Sequence, residues 1–139
     1  MAKAVRACAS ARLLLDAGDV DGACSRAYYA MFDAARAALL VSGAPVGHEV
    51  ARTHRGLINA FGLYLVKSGP IPREVGRLIN RAEEVRLVAD YKGDSVDLAD
   101  AADQVAQAAV FVAAIERQFA QEFGRGRSPC QPAERQRPL

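Results

Sequence analysis

Two histidines and a few arginines are the residues of this 139-residue chain whose types and spacing could do chemistry. His48 and His54 stand six positions apart, which does not put them on one helical face, and no third metal ligand accompanies them. The sequence holds no Cys-x-x-Cys, no His-Glu-x-x-His and no Gly-rich phosphate loop. No metal site and no cofactor is therefore expected. His54 lies on an apolar row with Ile58, Phe61 and Leu65. It reads either as a core or helix-start histidine packed against Ile58, or as a general base or phosphate contact. Imidazole is the side chain that titrates near neutral pH.

Arg86 is the more informative residue. With 100° per residue, Val75, Ile79, Ala82 and Arg86 fall on one face of a helix, so a guanidinium sits where a leucine would be expected. A buried guanidinium needs a partner or solvent, because leaving it unpaired is costly. Asp90 is one turn further on, and Tyr91 follows it. One reading is a structural Arg86–Asp90 clasp; the other is a cleft-facing cation that contacts phosphate.

Arg73, Arg77 and Arg81 recur every fourth residue on the opposite face of the same segment. They form either a solvated surface or a contact strip for RNA, a nucleotide or an acidic partner. Tyr28 and Phe32 belong to an apolar row and are expected in the core. Tyr29 turns about 100° away, beside Asp33 and Arg36. A tyrosine among charges suits an interface, so Tyr29 and Arg36 are the expected interface residues.

The elements that must position these groups are helices. Apolar spacing is three and four residues throughout, and Gly or Pro punctuates the chain at Gly18, Gly43 to Pro45, Gly69 to Pro72, Gly93 and Gly124. Five helices are predicted, at about 2–17, 20–42, 50–68, 72–90 and 96–123. The last has the row Leu98, Ala101, Val105, Ala108, Val112, Ile115, Phe119, with Ser95 or Asp97 to cap it. The second has Cys24, Tyr28, Met31, Ala35 and Leu39. The fold class is all-α: an antiparallel four-helix bundle with an additional short helix, over residues 1–123.

Residues 124–139 hold Arg125, Arg127, Arg135 and Arg137 against Glu134, a net of +3. The whole chain carries +2, so the body carries −1 and offers no domain-wide grip on a polyanion. The tail is expected to be a disordered basic segment. The longest runs free of Asp, Glu, Lys and Arg are twelve residues, too short to cross a bilayer, and Lys3, Arg6 and Arg12 interrupt any signal peptide. Cys8, Cys24 and Cys130 are odd in number and widely spaced, as expected of reduced thiols in a cytoplasm.

The stretch Ser25-Arg26-Ala27-Tyr28-Tyr29-Ala30-Met31-Phe32-Asp33-Ala34-Ala35 resembles the second helix of small prokaryotic HEPN-domain proteins. Thr53-His54-Arg55-Gly56-Leu57, Leu65-Val66-Lys67-Ser68-Gly69 and Arg86-Leu87-Val88-Ala89-Asp90-Tyr91 follow in the matching order. The resemblance runs from about residue 4 to residue 120. It implies a helical homodimer, commonly paired with a minimal nucleotidyltransferase as toxin and antitoxin. Active members are metal-independent endoribonucleases with an Arg, usually followed by a polar residue, and a His four to six residues further on from that residue. In some pairs the partner adenylylates a nearby tyrosine.

Here Arg86 takes the Arg position, Leu87 replaces the polar residue, and Tyr91, Lys92 and Gly93 stand where the His belongs. Tyrosine, titrating near about 10, is a poor base at neutral pH. The leading expectation is a HEPN dimer working with a nucleotidyltransferase as a toxin-like RNA- or nucleotide-binding subunit, with Arg86, Asp90, Arg73, Arg77 and Arg81 in contact with ligand. One alternative is a metal-independent endoribonuclease using Arg86 with Tyr91 or His54 as catalytic residues. Another is a non-catalytic dimerisation module.

Overall fold

The computed structural model describes residues 1–91 and 96–125, with Tyr91 placed by its backbone alone. The described residues form seven α-helices and one π-helical segment. They are α1 (Ala2–Asp16), α2 (Val20–Ser42), α3 (His48–Arg52), α4 (His54–Phe61), the π segment (Gly62–Lys67), α5 (Arg73–Tyr91), α6 (Leu98–Gln118) and α7 (Ala120–Arg125).

α2 is the central element, packing against α1, α4, α5 and α6. It buries Cys24, Tyr28, Met31, Ala35 and Leu39, the predicted row, together with Ala23, Ala27, Ala30, Phe32, Ala34 and Ala38. A row this wide covers two faces of the helix, which is how one helix can meet several neighbours. α1 buries only alanines, Ala4, Ala7 and Ala11. Small side chains on both sides let the axes of α1 and α2 come close. Phe61 of α4 meets Phe111 of α6 with ring centroids 5.5 Å apart, tying the short helices to the long ones.

Caps set the helix starts. Asp19 accepts from the Gly22 amide at 2.9 Å, and Asp97, one of the two predicted caps, accepts from Ala99 at 3.0 Å. Each such cap stabilises a helix end by about 1 kcal/mol.

Two predicted helices are broken. The expected helix over 50–68 is α3, α4 and the π segment. Thr53 adopts an extended backbone (φ −93°, ψ 147°) and its hydroxyl accepts from the Gly56 amide at 3.0 Å, starting a new helix at His54. The expected helix over 96–123 breaks at Phe119, which stays buried and meets Phe123 edge-on. Gly124 was expected to stop that helix, yet α7 runs through it to Arg125. A glycine in an exposed final turn costs only about 1 kcal/mol. Residues 126–139, where most of the predicted tail falls, lie outside the described residues.

The row of α6 is buried from Ala101 to Phe119, but Leu98 is exposed because it precedes the first full turn. By length and composition α6 could cross a membrane. In this fold its apolar row instead packs on α1, α2 and α5. Cys8 and Cys24 are free thiols, and burial raises both, Cys24 to about 11.

Candidate functional site

The row Ile79, Ala82, Arg86 of α5 ends against α2. Ile79 and Ala82 are buried, and the Arg86 side chain is 16% exposed. Its guanidinium carbon lies 4.7 Å from the centre of the Tyr28 ring and 5.9 Å from that of Tyr29. Such a contact is worth about 0.5–2 kcal/mol, more as water is excluded. Nη1 reaches Oδ2 of Asp90 at 3.6 Å, and the Asp90 side chain is half exposed. A charge-assisted bond would measure about 2.7–2.9 Å. Among the described residues, Nε is buried without a hydrogen-bond partner. The clasp of the first reading exists, but loosely, and the cation of the second keeps unused donors.

His54 arrives at the same rings from another direction. As the first residue of α4 it is aimed by the Thr53 cap, and its Nδ1 stands 2.7 Å from the Tyr28 hydroxyl. Its ring stacks on Tyr28 (centroids 5.6 Å, 25° between planes), packs on Phe32 at 4.8 Å and meets Tyr29 edge-on at 6.0 Å. Arg36 covers the other ring of this group, 4.9 Å over Phe32, and its Nη2 donates to the Ala51 carbonyl at 3.4 Å. The sequence Arg86, Tyr28, His54, Phe32, Arg36 thus sets three packed rings between two guanidiniums across the α2 surface.

Burial holds the His54 imidazole below its ordinary value. The Arg86 guanidinium lowers it further, Glu83 opposes this, and Arg36 adds to the lowering. The neutral form of the ring is therefore favoured over the imidazolium. The Tyr28 hydroxyl is pushed up to about 12, by burial first and the Glu83 carboxylate second.

The Tyr28 value has a measurable consequence. An unfolded tyrosine releases its proton near about 10, whereas folded Tyr28 keeps it to about 12. Between those values the unfolded chain binds fewer protons, so stability falls as pH rises from about 10 to 12 and is untouched below. Wild type should lose more melting temperature across that window than Tyr28→Phe. Parallel losses would remove Tyr28 as the cause.

Other expected site residues lie elsewhere. Arg73, Arg77 and Arg81 are exposed on the outer face of α5. Tyr29 is partly buried within the chain, against Tyr28, His54 and Arg86. His48 lines a cleft of about 140 Å³ with Arg36, Leu40 and Val46. The side chain of Tyr91 lies outside the described residues. Sequence reasoning placed Tyr28 in the core without its polar role, and it missed Glu83. A buried tyrosine needs a hydrogen-bond partner, and with only two histidines in the chain that rule was a usable signal.

An all-helical domain with an arginine and a histidine held on one pair of adjacent tyrosines is the class defined by this geometry. A profile of the HEPN domain matches residues 1–118, and the chain belongs to that family. It is 36% identical over 125 residues to a UPF0332 protein of Gloeobacter violaceus, covering 88% of this chain and 91% of that protein. A Methanocaldococcus jannaschii protein bearing the name "Putative toxin" is 33% identical over 108 residues, 78% of this chain and 77% of that one. A Thermotoga maritima UPF0332 protein is 34% identical over 109 residues, with 77% and 78% covered.

Proposed function

We propose that this chain is a toxin-like HEPN subunit that binds the phosphate groups of RNA at Arg86, assisted by His54 and Arg36. One observation carries the reading: Arg86 is held against two tyrosine rings while, among the described residues, its Nε has no partner and its one ion pair is long. A guanidinium fixed in this way loses little freedom on binding, and its fork matches the oxygens of a phosphate. Asp90 is then the partner that phosphate displaces, and Arg73, Arg77 and Arg81 form an outer strip for neighbouring phosphates. The similarity of the chain to the protein named "Putative toxin" supports the toxin-like part. The pairing of such proteins with a nucleotidyltransferase antitoxin, implied by the family resemblance, completes it.

The working unit is a homodimer. Leu87 and Val88, directly after Arg86, are 38% and 40% exposed, and Tyr29 and Arg36 of α2 are only partly buried. Apolar side chains beside a cationic site are covered most simply by the same patch of a second copy. Sedimentation at micromolar concentration should give a species of twice the 14.8 kDa chain mass. A monomer alone would overturn the dimer.

A second reading, metal-independent RNA cleavage, is favoured by the nearness of His54 to Arg86 around Tyr28. Tyr91 is its other candidate acid–base group. Incubating the protein with RNA in excess chelator separates the two. Retained, uncut RNA supports a binding subunit; chain cleavage lost with Arg86→Ala supports the enzyme; neither binding nor cleavage overturns both.

A further inference from the structure

The Tyr28 hydroxyl and the His54 ring form a hydrogen bond whose direction decides what His54 can do. Two arrangements fit the 2.7 Å separation. Either the phenol donates to a bare Nδ1, leaving the ring hydrogen on Nε2, or Nδ1–H donates to the phenol oxygen. In the second case the phenol hydrogen needs another acceptor. Tyr28 is fully buried, and among the described residues His54 is its sole hydrogen-bond partner. Stranding a hydroxyl hydrogen in the core is costly, whereas the first arrangement satisfies both groups. The phenol is also the better donor of the two, and Nδ1 of a neutral imidazole is a good acceptor.

We infer that Tyr28 is a positioning residue that locks His54 in the Nε2–H tautomer, so that His54 serves RNA phosphate as a neutral hydrogen-bond donor and not as a proton acceptor. This rests on the phosphate-binding reading of Arg86. The charged and titratable groups facing His54 agree with it. From α2 come Arg36, Tyr28 and Tyr29, and from α5 come Arg86 and Glu83. Two guanidiniums against one carboxylate, in a partly buried place, favour the uncharged ring. A neutral ring with Nδ1 already engaged has one free valence, the Nε2–H. That hydrogen can bond a phosphoryl oxygen next to the one held by Arg86. It cannot accept the proton of an attacking 2′-hydroxyl. His54 therefore does not replace the acid–base histidine missing after Arg86, and binding without turnover follows from the direction of one hydrogen bond.

The test is a long-range proton–nitrogen correlation spectrum of the full chain labelled with nitrogen-15 in histidine and arginine, recorded about pH 8, above the ordinary histidine range. His48→Gln assigns the two rings. Expected is a protonated Nε2 and a bare Nδ1 for His54. In Tyr28→Phe, which keeps the ring and fills the same space, the second tautomer should appear. A merely structural Tyr28 would leave the tautomer unchanged. Inorganic phosphate should then shift the His54 Nε2–H signal and the Arg86 Nε–H signal together, with apparent affinity several-fold weaker in Tyr28→Phe. A wild-type Nδ1–H tautomer, or an unchanged tautomer in Tyr28→Phe, overturns the inference and leaves the Arg86 reading intact. So does a phosphate response at Arg86 alone. A response at neither residue overturns the Arg86 reading itself.

Discussion

Arg86→Ala should weaken the binding of a short single-stranded RNA by about ten- to a hundredfold while leaving the domain folded. The affinity loss follows from deleting a charge-assisted contact, about 1.5–3 kcal/mol, at about 1.4 kcal/mol per decade. The stability cost is smaller because the side chain is poorly satisfied in the free protein. Deletion removes the cation–ring contact with Tyr28, but it also removes a buried Nε that has no partner among the described residues. The ion pair with half-exposed Asp90 contributes little at 3.6 Å. The net loss should be about 1 kcal/mol, roughly a 3–5 °C fall in melting temperature for a chain of this size. Asp90→Asn should act in the opposite direction on RNA, tightening binding by removing the competing carboxylate. Melting temperature and RNA affinity measured together on both variants decide the matter. Unfolding of Arg86→Ala, or unchanged affinity in a folded variant, would make Arg86 a structural residue and end the phosphate reading.

Helix spacing made most of the fold legible. The predicted rows on α2 and α6 are buried almost residue for residue, because a three-and-four pattern leaves a helix only one way to hide its apolar side chains. The place of Arg86 was legible for the same reason: it ends the buried row Ile79, Ala82 and meets the rings of α2. What the rows could not reveal is the meeting of His54 with Arg86. That meeting depends on the break at Thr53, which turns the chain so that α4 begins with its histidine aimed at α2. A one-dimensional apolar pattern reads straight through this break, since Ile58, Phe61 and Leu65 keep their spacing across it. The cap residue was the visible sign, with Thr53 three positions before Gly56. The role of Tyr28 was hidden differently. Its ring fits the core pattern, and only the three-dimensional partner of its hydroxyl distinguishes it from phenylalanine.

Gly56→Ala should destabilise the protein and displace His54, although alanine is the better helix former. In α4 a Cβ at position 56 would run into the Val50 carbonyl oxygen and lie 2.5 Å from Thr53 Oγ1 and 3.1 Å from the Val50 carbonyl carbon. Two of these are backbone atoms that cannot rotate away, and the third is the cap of the helix itself. The alanine would gain up to about 1 kcal/mol of helix propensity. Relieving the clash requires the α3–α4 junction to open, at about 1–3 kcal/mol, with loss of the Thr53 cap adding about 1 kcal/mol more. The net effect is a fall of several degrees in melting temperature. His54 moves with the junction and so does Ala51, whose carbonyl accepts from Arg36, so RNA affinity should fall as well. Gly62→Ala is the matching control. Gly62 has a helical backbone (φ −60°, ψ −43°), and nothing lies within 4 Å of an added Cβ. That substitution should stabilise by about 0.4–1 kcal/mol and leave RNA affinity alone. If both variants gain stability, the close approach at Val50 is not what seats His54. If Gly56→Ala loses stability but keeps full affinity, the junction holds the fold without setting the site.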